Sequence, residues 1–157
     1  MTKHRIAGDS FIVELSQRID CPLEKVRAQF RDMRHHEQHR VHGSASFKVL
    51  SDDGKTCRYE QRTRVLGVPL IDRCEMSFTD SGKLVNKNLA GPGSGMTTTF
   101  SFADIEGRAT RVDVSIEVPL VGLKRMLRPI LSSAIAQGFR TALEEDRIDL
   151  EERGYPR

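Results

Sequence analysis

Apolar residues recur every three or four positions between residues 121 and 153, which is the spacing of one face of an α-helix. Charged residues occupy the opposite face. Pro129 removes a backbone hydrogen-bond donor inside this pattern. The sequence therefore predicts one long helix over residues 121–153, bent near Pro129, that packs on a large apolar surface. The apolar positions are Leu123, Leu127, Ile130, Leu131, Ala134, Ile135, Phe139, Leu143 and Leu150.

The chain before this helix alternates apolar and polar residues in short segments, which is typical of strands with one buried face. A short amphipathic helix is predicted over residues 23–33, after Pro22, and a second short helix after it. Residues 1–9 are polar and are expected to be disordered. Successive hairpins predict one antiparallel sheet of about seven strands, so the fold class is α+β. The strands are predicted over residues 10–20, 44–50, 56–66, 70–78, 84–89, 96–105 and 110–118.

Length and composition indicate a single domain over residues 1–157, with 38% hydrophobic and 30% charged residues. The net charge of +3 is spread along the chain, so we expect no nucleic-acid partner. Cys21, Cys57 and Cys74 lack Cys-x-x-Cys spacing, which favours a reducing, cytoplasmic location. No segment approaches the roughly 20 apolar residues of a membrane span. We therefore expect a cytoplasmic monomer or homodimer without a membrane span.

Several short stretches, taken in order, resemble the SRPBCC or START-like superfamily of polyketide-cyclase-like proteins. Residues 20–26, Asp-Cys-Pro-Leu-Glu-Lys-Val, resemble the family's entry from its first strand into its first helix. Residues 107–120 resemble its last strand, and residues 123–144 resemble its C-terminal helix. The resemblance implies a helix-grip fold, in which a curved antiparallel sheet wraps around the long C-terminal helix and two short helices follow the first strand. It also implies a cavity for a small hydrophobic or aromatic molecule.

The charged residues of each strand predict which side chains face the helix, because neighbouring residues point to opposite faces. The inward positions include more polar residues than a plain core holds, and a cavity with ligand or water would satisfy them. Asp72 is explained equally well by a shift in strand register, and Cys74 is expected to act as a small hydrophobe. The predicted ligand-binding residues are Tyr59, Gln61, Thr63, Asp72, Cys74, Met76, Asn86, Asn88, Thr98, Phe100, Leu131, Ile135 and Phe139.

Four of the five histidines follow the first predicted helix: His35, His36, His39 and His42. This segment is usually aromatic in the family, and this chain has no Trp. Imidazole titrates near neutral pH, so a histidine at a cavity mouth is suited to acid or base catalysis. These four histidines and Asp72 are the catalytic candidates. A solvated, histidine-rich segment explains the cluster equally well.

A metal site is a third interpretation of the histidines. His35 and His39 are four residues apart, which suits two imidazole ligands on one helical face. The catalytic domains of ring-hydroxylating oxygenases share this superfamily and hold iron with two histidines and a carboxylate. His35, His39 and Asp146 occupy loosely similar places. The spacing is shorter than in those enzymes and no Rieske Cys-x-His motif is present, so we expect no cofactor and no bound metal.

Asp146 lies on the extension of the apolar stripe of the long helix, between Leu143 and Leu150. Because Asp is rarely buried without a partner, we expect it to reach solvent at the helix end. A site inside the protein is the alternative for this carboxylate.

Three functional hypotheses follow. The preferred one is binding of a small hydrophobic or aromatic molecule in a cavity between the sheet and the C-terminal helix. The second is a cyclase or dehydratase that uses a histidine at the cavity mouth as acid or base. The third is a metal-dependent protein related to the catalytic domain of ring-hydroxylating oxygenases. The sequence leaves open whether the chain catalyses a reaction.

Overall fold

Eight strands form one antiparallel sheet in the computed structural model, which describes residues 2–65, 68–126 and 128–156. The strand order is β1-β2-β8-β7-β6-β5-β4-β3, so β2 and β8 are the one adjacent pair that is not consecutive in the chain. This arrangement confirms the α+β class, with one strand more than predicted. The strands are β1 (Lys3–Ala7), β2 (Ser10–Ile19), β3 (Ala45–Asp52), β4 (Thr56–Val65), β5 (Val68–Phe78), β6 (Leu84–Ala90), β7 (Thr97–Ile105) and β8 (Ala109–Pro119).

The additional strand is β1, which lies within the residues 1–9 that the sequence predicts as disordered. It pairs antiparallel with β2, from Lys3 opposite Glu14 to Ala7 opposite Ser10. Most of its side chains are exposed, so it carries no alternating apolar signal. Backbone hydrogen bonds to β2 hold this segment in the sheet, and the pattern of its side chains does not predict them.

The two short helices expected after the first long strand are α1 (Leu23–Arg31) and α2 (Met33–His39). The first is amphipathic and buries Val26, Gln29 and Phe30. The ring of Phe30 lies edge-on against Phe100 and Phe102 of β7, with centroid distances of 5.6 Å to each. This packing places α1 on the inner face of the sheet.

The C-terminal part of the chain holds α3 (Leu123–Met126) and α4 (Arg128–Glu151). The structure thus confirms the long helix from residue 128 onward, and Pro129 lies in its first turn, where a missing backbone N–H costs little. Whether α3 and α4 form the predicted single helix with a bend near Pro129 depends on Leu127, which lies outside the described residues. Leu66, at the end of a predicted strand, and Gly67, predicted to end that strand, also lie outside them. The side chain of Leu123 also lies outside them.

Fewer apolar residues of α4 pack against the rest of the protein than the sequence predicts. Ile130 is 70% exposed and Ala134 is exposed, so neither packs on the sheet. Leu143 and Leu150 in the C-terminal half are buried. The helix packs against β2 and α1. None of the described helices combines the length and the apolar character that crossing a membrane requires.

The alternation of inner and outer residues in the sheet follows the predicted phase. Tyr59, Cys74 and Met76 are buried, whereas Arg58 and Arg73 are exposed on neighbouring positions of the same strands. The inner face therefore joins the core formed by β2, α1 and α4. Sequence phasing is reliable here because charged side chains mark the outer face at almost every second residue.

Candidate functional site

Asp32 fixes the segment that carries the histidines. Its backbone N–H donates to carbonyl oxygens in the last turn of α1, which ends that helix. Its carboxylate oxygen Oδ1 accepts from the backbone N–H of His35 at 3.0 Å and caps α2. The hydroxyl of Tyr155 donates to the other carboxylate oxygen at 3.2 Å. Asp32 therefore ends α1, caps α2 and contacts Tyr155.

Three of the four clustered histidines are buried. The exposed fractions are 5% for His35, 4% for His36 and 9% for His42, whereas His39 is half-buried. The ring of His39 lies beside that of His35, with centroids 4.6 Å apart. The three buried histidines contact carboxylates in the C-terminal half of α4. Their expected position at a cavity mouth stays a prediction.

Asp146 is 6% exposed and Asp149, one turn further along α4, is fully buried. The expectation that Asp146 reaches solvent is wrong, because this face of α4 stays covered by α1 and α2. His36 Nε2 lies 3.2 Å from Asp146 Oδ1, and His35 Nε2 lies 2.8 Å from Asp149 Oδ2. The amide Nε2 of Gln29 donates to both carboxylates, at 3.0 and 3.2 Å. The partners that a buried carboxylate needs thus come from residues far away in sequence.

The Nδ1 atoms of His36 and His42 also form hydrogen bonds to oxygen atoms. His36 Nδ1 lies 2.8 Å from the carbonyl oxygen of Asp32, and a carbonyl only accepts, so Nδ1 carries the proton. His42 Nδ1 donates to Glu145 Oε2 at 3.1 Å. Both rings consequently direct Nε2 towards Asp146 Oδ1, at 3.2 and 3.5 Å. The two rings stack with centroids 5.2 Å apart.

In this cluster, burial and the neighbouring charges shift the pKa values of His36 and Asp146 in opposite directions. Burial lowers the pKa of His36, but the hydrogen bond and charge of Asp146 outweigh it, so the pKa is raised above its ordinary value. Burial raises the pKa of Asp146, but the charge of His42 and the hydrogen bond from His36 leave it below its ordinary value. Both shifts favour the charged forms of the pair.

A second group of polar side chains lies on the inner face of the sheet. The Tyr59 hydroxyl donates to Asn86 Oδ1 at 3.0 Å, and Asn86 Nδ2 donates to Asn88 Oδ1 at 3.5 Å. Thr98 stands opposite Asn86 on β7, and its buried hydroxyl has no hydrogen-bond partner among the described residues. We call Tyr59, Asn86, Asn88 and Thr98 the polar patch.

The ring of Phe47, on β3, lies between the histidine cluster and the polar patch. Its centroid is 6.0 Å from that of His36, 5.6 Å from that of His42 and 5.8 Å from that of Tyr59. Sequence reasoning did not single out Phe47, nor Gln29, Glu145 and Asp149 of the histidine cluster. A polar Gln29 on the apolar face of α1 was the one available signal.

Asp72 has a structural partner in the loop that follows β6. Its Oδ1 accepts from the backbone N–H of Gly93 at 2.7 Å. A Cβ at Gly91 would lie 2.4 Å from the same carboxylate oxygen, so only glycine permits this close approach. The pairing of β4 with β5 is continuous and sets Asp72 opposite Gln61, whereas the register between β5 and β6 shifts between Arg73 and Cys74. Asp72, Gln61 and Thr63 are half-buried.

The remaining predicted residues are apolar or act as such. Cys74 and Met76 are buried, and burial raises the pKa of the Cys74 thiol to about 11, so the thiol stays protonated near neutral pH. Burial also raises the pKa of Tyr59 well above its ordinary value, which keeps the phenol a neutral hydrogen-bond donor. Four further predicted residues are half-buried at the edge of the core: Phe100, Leu131, Ile135 and Phe139.

Open grooves on the described part of the surface include the following two. One, of about 420 Å³, lies between α1, the β3–β4 turn and Tyr155, and the other, of about 380 Å³, crosses β2, β8 and β7 on the outer face of the sheet. Neither of these grooves lies between the inner face of the sheet and α4.

These elements define the helix-grip fold of the SRPBCC or START-like proteins, with a curved antiparallel sheet and a long C-terminal helix. A search of solved structures supports this assignment. The chain superimposes on the protein TTHA0849 from Thermus thermophilus with a TM-score of 0.78 and 17% identity, over 91% of this chain and 99% of that chain.

Two further similar structures have more descriptive names. The Zhui aromatase/cyclase from Streptomyces sp. R1128 matches with a TM-score of 0.70 and 12% identity, over 92% of this chain and 98% of that chain. A START superfamily protein from Mycobacterium smegmatis matches with a TM-score of 0.70 and 13% identity, over 88% and 98%. At these identities the similarity shows the fold alone. No family model and no curated protein matches the sequence.

Proposed function

We propose that this protein binds a small hydrophobic or aromatic molecule between the inner face of the sheet and the N-terminal half of α4. The observation that carries the proposal is the contrast between the two halves of this helix. Leu143 in the C-terminal half is buried. In the N-terminal half the small Ala136 is buried, but the larger Leu131, Ile135 and Phe139 are only half-buried against the core. An apolar helix face that the sheet leaves partly uncovered gives an apolar ligand surface to cover.

The polar patch supports a ligand that carries one polar group. A buried hydroxyl without a partner costs about 1–3 kcal/mol, and the hydroxyl of Thr98 has no partner among the described residues. A carbonyl or hydroxyl group on an otherwise apolar molecule would satisfy it. The amides of Asn86 and Asn88 lie on the same face and provide further polar contacts. The fold shared with an aromatase/cyclase and a START superfamily protein supports the same ligand class.

A titration with the neutral fluorescent probe N-phenyl-1-naphthylamine tests this proposal. We expect saturable binding to the wild-type protein, with the probe excited at a wavelength that tryptophan does not absorb. Leu131→Trp fills the space beside the helix and should weaken binding at least tenfold, about 1.4 kcal/mol. Ser133→Trp places the same ring on an exposed position of α4 and is the matched control. Equal affinities for the two variants, or no saturable binding to the wild type, would contradict the proposal.

A cyclase or dehydratase on the same scaffold is the second candidate. It is favoured by the position of Phe47, because one ring separates the buried His36 and His42 from the polar patch. Displacement of that ring would bring His36 to a bound molecule as an acid or base. The test is the mass of an aromatic β-hydroxy ketone after incubation with the wild type and with His36→Gln. Removal of its α-proton by a base and departure of its protonated hydroxyl group release one water molecule. Loss of water in the wild type alone supports catalysis, and an unchanged mass in both supports binding without reaction.

A further inference from the structure

The donor atoms of three buried residues converge in the histidine cluster. His36 and His42 each offer a ring nitrogen and Asp146 offers a carboxylate oxygen, and these atoms all lie within 4.8 Å of one another. The two nitrogen–oxygen separations to Asp146 are 3.2 and 3.5 Å. Donors around a tetrahedral ion with bonds of roughly 2.0–2.1 Å stand about 3.3–3.4 Å apart. Both nitrogen–oxygen separations therefore suit an ion that Asp146 shares with the two histidines.

The hydrogen bonds around these rings are those that metal-binding histidines need. Such a histidine donates its other ring N–H to a carbonyl or carboxylate oxygen, which fixes the ring and frees the second nitrogen for the metal. His36 does so through Asp32 and His42 through Glu145. Two rings from different positions thus present the same nitrogen to the same carboxylate. His35 differs, because its Nε2 is bonded to Asp149 at 2.8 Å.

A further observation concerns Gln29, which contacts Asp146 and has an acceptor without a donor. Gln29 is fully buried and its Nε2 donates to Asp146 Oδ1 at 3.0 Å, while its Oε1 has no hydrogen-bond partner among the described residues. A buried amide oxygen in this position needs a donor nearby. A water molecule bound to an ion beside Asp146 would provide one.

From this geometry we propose that His36, His42 and Asp146 bind one divalent transition-metal ion of the zinc(II) or iron(II) class. Two imidazole nitrogens and one carboxylate oxygen are a donor set that these ions accept, and three protein ligands leave a further position for water. The proposal goes beyond ligand binding at the polar patch. It also departs from the sequence analysis, which expected no metal and named His35, His39 and Asp146 as the weak candidates, and of these it keeps Asp146 alone.

The test is a calorimetric titration of zinc sulfate into untagged, chelator-treated protein, followed by an anaerobic titration with iron(II) to distinguish the two ions. One site per chain is expected for at least one of them. Cobalt(II) in the same site should give visible absorption bands, which report on its coordination independently of affinity. Asp146→Asn and His42→Gln each remove one ligand and should weaken binding at least about 100-fold.

His39→Ala and His39→Gln are the matched controls, since both change a half-buried histidine of the same segment that lies outside the three proposed ligands. Both should retain one ion per chain with affinity within about threefold of the wild type. Circular dichroism identifies any variant that does not fold, and in that case the remaining ligand variant and the cobalt spectrum decide. The proposal is overturned if neither ion binds stoichiometrically. It is also overturned if the controls lose binding as fully as the ligand variants do.

Discussion

His36 and Asp146 are 110 positions apart in the chain, and Nε2 of the one lies 3.2 Å from Oδ1 of the other. Because both side chains are buried, this contact ties α2 to the C-terminal half of α4. Apolar packing of Leu143 and Leu150 closes the same end of the helix. The N-terminal half of α4 has no comparable polar anchor on its half-buried face among the described residues, and that is where we propose the ligand binds.

The two halves of α4 should differ in what they contribute to stability. Leu143→Ala removes a buried side chain and should lower the free energy of unfolding by about 2–5 kcal/mol. Leu131→Ala removes a half-buried one and should cost less than about 1.5 kcal/mol. Urea unfolding in the absence of ligand measures both. Similar costs would mean that the N-terminal half of α4 is ordinary core.

The side-chain amide of Gln29 should stabilise the histidine cluster. Gln29→Leu keeps the size of the side chain and removes its hydrogen bonds to Asp146 and Asp149, so we expect a loss of about 1–3 kcal/mol. Gln38→Leu changes an exposed glutamine of α2 and is the control. Thermal unfolding of metal-free protein provides the measurement. Equal melting temperatures for the two variants would show that the hydrogen bonds from this amide to the carboxylates do not contribute to stability.

The Cys74 thiol should resist alkylation in the folded protein at pH 8, because its pKa is raised to about 11 and the side chain is buried. A pKa raised by folding stabilises the fold below the unfolded value of roughly 8.5. That contribution is lost as the pH rises from there towards about 11. Peptide mapping after iodoacetamide treatment, with urea-unfolded protein as the positive control, measures the protection. The alkaline loss of stability should be smaller in Cys74→Ala, and rapid native labelling would contradict this account.

The loop between β6 and β7 should depend on glycine at one position more than at others. At Gly91 the backbone has φ +103°, and a Cβ would lie 2.4 Å from the carbonyl oxygen of Ile71. Gly107 also has a positive φ, of +68°, but a Cβ there meets no atom within 4 Å. Gly91→Ala should therefore destabilise the protein by more than Gly107→Ala, for which about 1 kcal/mol is expected from backbone strain alone. Denaturant unfolding compares the two, and equal losses would show that the contact with Ile71 relaxes freely.

Patterns within one element predicted most of the fold. Arg58, Arg62 and Arg64 mark the outer face of β4, so the inward position of Tyr59 followed directly from the period of a strand. β1 was missed because backbone pairing holds it and its side chains carry no signal.

The site was harder to predict because it depends on contacts between elements. Asp146 was expected in solvent, since its partners His36 and Gln29 lie in helices near the other end of the chain. The spacing of histidines on one helical face favoured His35 and His39, but His42 lies beyond the end of α2. The turn at Arg40, with φ 47°, redirects the chain so that His42 stacks on His36. Local periodicity does not anticipate such a turn.

The most direct test of ligand binding is the methyl NMR spectrum of isoleucine- and leucine-labelled protein during titration with N-phenyl-1-naphthylamine. We predict that the methyl signals of Leu131 and Ile135 shift in a saturable way, because they face the proposed site. The signals of Leu150, buried at the other end of α4, and of Leu50, exposed on β3, should change little. Saturation without any shift at Leu131 and Ile135, or shifts centred on Leu50, would contradict the proposed site.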